Sequence, residues 1–139
     1  MTILDTDLFT DLMNEVPAVV ERAAAIPREE QAIAVVTADE VIRGQLNSIR
    51  QAESGRSKLP LPVAYRYFLK SLRDLAAFRV FEYHAAAEDE FARLKALKIR
   101  IGTRDLRIAA IAIARGATLV TRNARDFALV PGLDLEVWN

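Results

Sequence analysis

Apolar positions along the chain follow two alternating patterns. Short apolar runs at Met1–Leu4, Ala32–Val36, Arg79–Tyr83, Ala117–Thr121 and Leu135–Trp138 have the length of strands, and Ala32–Val36 is rich enough in β-branched residues to be a buried one. Between these runs, apolar residues recur at helical spacing. Asp7 or Thr6 can cap a helix over Leu8–Asn14. Pro17 opens a second helix with Ala18, Val19, Ala23 and Ile26 mostly on one side, and Ile26-Pro27 closes it. Thr37 stands at the next helix start with Glu40 three residues on, the spacing of a capping box, and Ile42, Leu46 and Ile49 continue the helix. Gly55, Pro60 and Pro62 make Glu53–Pro62 a loop or the tip of a helical hairpin. Val63–Phe78 is helical through Tyr65, Phe68, Leu69, Leu72, Leu75 and Ala76. His84–Leu97 carries Ala87, Phe91, Leu94 and Leu97 on one stripe. Arg104–Arg115 forms a further helix ended by Gly116, and Asn123–Phe127 is a turn or short helix.

Strands alternating with helices imply an α/β fold with a parallel sheet covered on both faces. The expected architecture is a three-layer sandwich: about five short strands flanked by helices, in one domain over residues 1–139, with a helical hairpin inserted at about 38–78. In such sheets functional groups collect beyond the carboxyl ends of the strands, at the point where the strand order reverses.

Composition narrows the chemistry. With 52% hydrophobic residues and only 5 Gly and 5 Pro in 139, the chain has the makings of a core and is not a disordered segment. It has no cysteine, which excludes thiolate metal sites and cysteine nucleophiles, and its one histidine, His84, excludes multi-histidine sites. The longest apolar run, Ile108–Ala114, is too short to span a membrane. The N-terminus lacks a basic segment and does not read as a secretory signal, so a cytoplasmic protein is expected. His84 reads as a cap or surface residue, and Trp138 as a core anchor on the last strand.

Lys plus Arg and Asp plus Glu each number 19, so the net charge is zero, but the distribution is uneven. Arg100, Arg104, Arg107, Arg115, Arg122 and Arg125 face a single acid, Asp105, in the stretch between the first and last of them. A local basic stretch of this kind can bind phosphates. Four acids fall where the fold would gather them: Asp5 after the first strand, Glu40 one turn into a helix, Asp105 in the first turn of another, and Asp126 after the fourth strand. Each has a simpler reading alone: Asp5 as a helix cap, Glu40 as half of a capping box, Asp105 as an acid on a helix dipole, Asp126 as a turn residue. Gathered at one edge, however, they repel, and a cation relieves that repulsion. Magnesium or manganese suits an all-oxygen donor set.

These residues resemble the motifs of the PIN-domain family, and within it the VapC-type toxins of toxin–antitoxin pairs. Ile3-Leu4-Asp5-Thr6-Asp7 is similar to the family's apolar run ending in Asp-Thr-Asn. Glu40-Val41-Ile42-Arg43-Gly44 is similar to Glu-Leu-x-x-Gly. Asp105-Leu106-Arg107-Ile108-Ala109-Ala110 resembles Asp-x-x-Ile-Ala-Ala, and Thr121-Arg122-Asn123-Ala124-Arg125-Asp126-Phe127 resembles Thr-x-Asn-x-x-Asp-Phe. The resemblance implies a PIN-like sandwich and a Mg2+- or Mn2+-dependent ribonuclease. Asp5, Glu40, Asp105 and Asp126 would be its catalytic and metal-holding acids, with Thr6, Thr121 and Asn123 supporting them. Asp7 departs from the family's usual Asn, either as an added carboxylate at the metal shell or as a cap. The same resemblance implies a homodimer and a VapB-type antitoxin held by the early helix Leu8–Ala25 and the segment Gln51–Phe78. From their charge alone, Arg100, Arg104, Arg122 and Arg125 are candidates for gripping RNA phosphates, with Arg122 or Arg125 equally suited to pairing with the site acids.

Two other readings compete. Asp5-Thr6-Asp7 after a strand also resembles the start of haloacid-dehalogenase phosphatases, which need a later lysine; Lys95 and Lys98 are the candidates here. The fold can also serve as a catalytically silent binding module.

Overall fold

The computed structural model describes residues 1–139. Five strands are present: β1 Thr2–Leu4, β2 Gln31–Ala34, β3 Arg79–Phe81, β4 Thr118–Thr121 and β5 Asp134–Val137. Seven α-helices join them: α1 Thr6–Met13, α2 Pro17–Ala24, α3 Val35–Glu53, α4 Leu61–Ala76, α5 Ala85–Ala96, α6 Thr103–Arg115 and α7 Ala124–Phe127. All strand pairs are parallel, in the order β3-β2-β1-β4-β5. The expected α/β sandwich is borne out.

Alternation along each inner strand divides the core into two layers. Ile3, Ala32 and Leu119 point to one face, where they meet Ala87, Phe91 and Leu94 of α5 and Ile108–Ala112 of α6. Their neighbours Leu4, Ile33 and Val120 point to the other face, against Leu8 and Phe9 of α1, Val19 and Ala23 of α2, and Leu75 of α4. Phe9 meets Phe78 edge to face at 5.1 Å. Trp138 lies one residue past β5 rather than on it, and is buried in the same layer as the core anchor expected.

Three expectations at helix starts are corrected. The first helix is capped by Asp5, not by Thr6 or Asp7: the Leu8 N–H donates to Asp5 Oδ1 at 2.9 Å, while Asp7 lies exposed in the first turn. Residues Val35 and Val36 belong to α3 rather than to the preceding strand, because Val36 is buried from the helix's first turn against the core. That shift carries Thr37 into the helix, so Thr37 and Glu40 form no capping box; Ala34 is the cap residue, without a side-chain bond. His84 stands at the cap position of α5, but its side chain makes no capping bond.

The α3–α4 hairpin spans 35–76, beginning three residues before the expected insertion. Its two helices pack along each other. Leu61, Tyr65, Leu69 and Leu72 form an exposed stripe along α4. Gly116 ends α6 in the left-handed region, φ 62°, with open space where a Cβ would sit. Gly116→Ala therefore adds backbone cost without a clash. It is expected to lower stability by about 1 kcal/mol, read as a lower urea midpoint with unchanged slope.

Candidate active site

β1 is the central strand, and the chain crosses from it to β2 on one side and meets β4 on the other. Its carboxyl end is the switch point of the sheet. Asp5 sits there, and its N–H still pairs with Val120 O at 3.1 Å. The residue is only 5% exposed. Oδ1 accepts the Leu8 N–H, and Oδ2 accepts the Thr121 hydroxyl. The Asn123 N–H in turn donates to Thr121 Oγ1 at 2.8 Å. Burial pushes the Asp5 carboxyl above its usual range. The bonds from Thr121 and Leu8 and the charge of Arg122 oppose that rise, whereas Asp7 adds to it.

Glu40 enters from α3. The Thr6 hydroxyl donates to Glu40 Oε1 at 2.7 Å. Thr37 Oγ1 lies 3.0 Å from Thr6 Oγ1 and is fully buried. Because the Thr6 proton is committed to Glu40, Thr37 must be the donor in this pair. The result is a relay, Thr37 to Thr6 to Glu40. The Thr-x-x-Glu spacing was visible in the sequence, but as a capping box; only the earlier helix start reveals its use.

Asp105 projects from the first turn of α6. Its carboxyl is pushed up to about 6, first by burial, then by the charges of Glu40, Asp5, Asp126 and Asp7. The four predicted acids therefore share one electrostatic site, and Asp7 is a fifth charge on its rim. Asn123 caps α7: its Oδ1 accepts the Asp126 N–H at 3.3 Å, and its Nδ2 donates to Asp126 Oδ2 at 2.9 Å. No three of the acids are drawn close enough to enclose a cation as they stand. The donor set is nonetheless all oxygen, and its mutual repulsion is the kind a hard divalent cation relieves.

The arginines divide. Arg122 pairs with Asp11 of α1, which is not one of the site acids. Arg107 lies over the Phe91 ring at 5.2 Å and Arg115 over Phe81 at 4.8 Å. Arg100, Arg104 and Arg125 are exposed and make no ion pair. Lys95, a candidate partner in the phosphatase reading, lies instead near the Phe91 ring.

Beside the acids runs a groove of about 400 Å³ between α1, α3 and α4, with Thr6 and Glu40 at its edge. It lies between the early helix and the hairpin, the elements for which the family resemblance implies a partner-holding surface.

A model of the PIN domain family matches residues 2–133. The chain belongs to the PIN domain family. Two curated relatives come from Rickettsia felis. Ribonuclease VapC2 is 54% identical over 39 residues, 28% of this chain and 29% of the relative. Ribonuclease VapC1 is 36% identical over 76 residues, 52% of this chain and 54% of the relative. The aligned stretches thus span about half or less of those relatives. Among solved structures, VapBC2 from Rickettsia felis bound to a promoter DNA fragment aligns with TM-score 0.77 at 24% identity, over 99% of this chain and 98% of that one. DNA-bound VapBC from Salmonella typhimurium aligns with TM-score 0.79 at 24% identity, with the same coverage. At such identity these are likenesses of fold. Membership in the PIN family displaces the phosphatase reading.

The raised Asp105 carboxyl gives this PIN domain a pH signature. Its native form favours the proton, so ionisation costs stability as pH rises from about 4 through about 6. In EDTA, Asp105→Asn is expected to raise the thermal midpoint at pH 7–8. That gain should shrink below pH 6 and vanish near pH 4, read from melting curves across the range.

Proposed function

We propose that this PIN domain is a metal-dependent endoribonuclease, the toxin of a type II toxin–antitoxin pair acting in the cytoplasm. The observation that carries the reading is the electrostatic coupling of Asp105 to Glu40, Asp5 and Asp126, acids delivered from four separate segments to one sheet edge. Two curated relatives are named ribonucleases, which supports RNA as the substrate.

In this reading Asp5, Glu40, Asp105 and Asp126 hold a cation of the Mg2+ or Mn2+ class. When bound, that cation polarises a phosphoryl oxygen and lowers the pKa of a water. The chain's own residues orient the donors. Thr121 and the Leu8 N–H fix the two oxygens of Asp5, Thr37 and Thr6 aim Glu40, and Asn123 holds Asp126. Asp105, its carboxyl pushed up to about 6, is largely ionised at neutral pH and would be available there as a donor. Arg100, Arg104 and Arg125 have free guanidinium groups to meet backbone phosphates, and Arg122, tied to Asp11, serves the site by its charge on Asp5.

The partner reading is supported by structures of similar fold, among them a toxin–antitoxin complex from Klebsiella pneumoniae and a member of the VapBC family of toxin–antitoxin systems from Mycobacterium tuberculosis. The exposed stripe Leu61, Tyr65, Leu69 and Leu72 is the surface for a second copy of this chain or a VapB-type antitoxin. No helix is long and apolar enough to cross a membrane.

The test is cleavage of a total RNA pool by antitoxin-free protein. Cutting is expected in Mg2+ or Mn2+, lost in EDTA, and lost in Asp105→Asn. Equal cutting by wild type and variant would sink the assignment, and no cutting in the full pool would favour a silent binding module. A second prediction concerns the relay. Thr37→Val should lower metal affinity or turnover by about 10-fold, as loss of a supporting hydrogen bond does, whereas Thr37→Ser should retain both. Metal titration and initial rates distinguish the two.

A further inference from the structure

One residue in the groove beside the acids is not explained by the helix that carries it. Gly44 lies in the interior of α3, four residues after Glu40, or about 6 Å further along the helix on the same side. Glycine is the worst ordinary residue for a helix interior. Nothing in the fold requires it: its φ is ordinary, and a Cβ there would meet no atom within 4 Å. Gly44 is exposed and lines the groove. A bare backbone at that point leaves a notch, and a notch that no part of the protein fills is useful only to something that comes from outside.

The groove walls are fixed in advance. Gln45 Nε2 donates to Ser71 Oγ at 3.0 Å, tying α3 to α4. Lys70 Nζ bonds Met13 O at 3.2 Å and Asp74 Oδ2 at 2.6 Å, tying α4 to the end of α1 and spending its charge. Tyr67 stands half-exposed on the α4 wall. Only 4 of the 14 lining residues are hydrophobic, a poor match for an apolar peptide face. The volume, about 400 Å³, lies in the range of small-ligand pockets. Besides the charged Glu40, Lys70 and Asp74, six lining side chains are neutral hydrogen-bonding groups. An aromatic ring beside such groups is how proteins hold an unstacked base.

We infer that this groove seats the nucleotide next to the scissile phosphate, with the sugar over Gly44 and the base against Tyr67, and that it sets which base is cut beside. The inference rests on the ribonuclease reading and deepens it. Its geometry is the continuity of the groove with the acids: Thr6 and Glu40 belong to both, so a strand whose phosphate lies at the carboxylates passes its next nucleotide into the notch.

The test compares wild type, Gly44→Ala, Gly44→Leu and Tyr67→Ala on one total RNA pool, sequencing the cut ends. Thermal midpoints and Mn2+ titration calorimetry run in parallel. Gly44→Leu and Tyr67→Ala are expected to cut about tenfold more slowly or worse, with altered base preference at the position beside the cut and unchanged Mn2+ affinity. Gly44→Ala should raise the thermal midpoint while shifting the preference in the same direction, which separates the effect from misfolding. Wild-type rates and flanking bases in all three variants would overturn the inference and leave the nuclease reading standing. Intact RNA cutting with lost binding of a protein partner would give the groove to that partner instead. A wild type that cuts nothing would overturn both.

Discussion

The fold turns on a buried carboxylate at the end of its central strand. Asp5 does three things that rarely coincide. It continues the sheet through its N–H bond to Val120, caps α1 through Leu8, and places a charge at the switch point. A buried carboxylate is tolerated only when its oxygens are bonded. Here Thr121 and Leu8 supply those bonds, one from each side of the crossover. The remaining rise in its pKa is the unrelieved part of the cost, and it makes the site receptive to positive charge. The elements β1, β4 and α1 are locked together by the same side chain that stands at the candidate site.

Zero net charge conceals a segregated surface. Acids converge at one edge of the sheet, and arginines crowd the stretch Arg100–Arg125, which contains Asp105 and ends beside Asp126. The arginines do not cancel the acids. Arg107 and Arg115 cover aromatic rings, and Arg122 is held by Asp11. Arg122 offsets part of the rise at Asp5, while the carboxyl of Asp105 stays pushed up to about 6 by burial and its acidic neighbours. The frustration is left for a cation to relieve, while the unpaired arginines can meet the polyanion that an acidic pocket alone would repel.

The elements and the four acids were legible in the sequence because strand and helix periods are local and because acids after apolar runs have few places to go. What was not legible depended on a shift of one or two residues. Val35 and Val36 look like strand by their β-branched side chains, yet burial of Val36 from a helical turn wins. That shift alone turns Thr37 from a presumed cap into a buried donor. Asp7 looked as good a cap as Asp5, because capping depends on where the strand lets go of the chain, and β1 lets go after Leu4. The partner of Arg122 was out of reach, since Asp11 lies more than a hundred residues away in sequence.

Helix α3 shows how one element can serve both the site and its surroundings. Along a single side, successive turns present Thr37, then Glu40 and Val41, then Gly44, then Ser48. Burial falls from a fully buried Thr37 to a partly exposed Glu40 to an exposed Gly44, and Ser48 beyond is again half-buried. The hydroxyl at the start of the relay is therefore innermost, the carboxylate stands at the rim, and the notch opens outside it. A helix rises by a fixed step per residue, so these three are spaced by geometry rather than by loop conformation. Alanine at position 44 would make a better helix and cost nothing in packing. The helix is thus weakest on its own account where the groove meets the site, and the ties from Gln45 to Ser71 and from Lys70 to Met13 brace the walls around that point. A rigid groove with a bare floor, one turn from the acids, favours an extended strand threading past the site over a compact ligand confined within it.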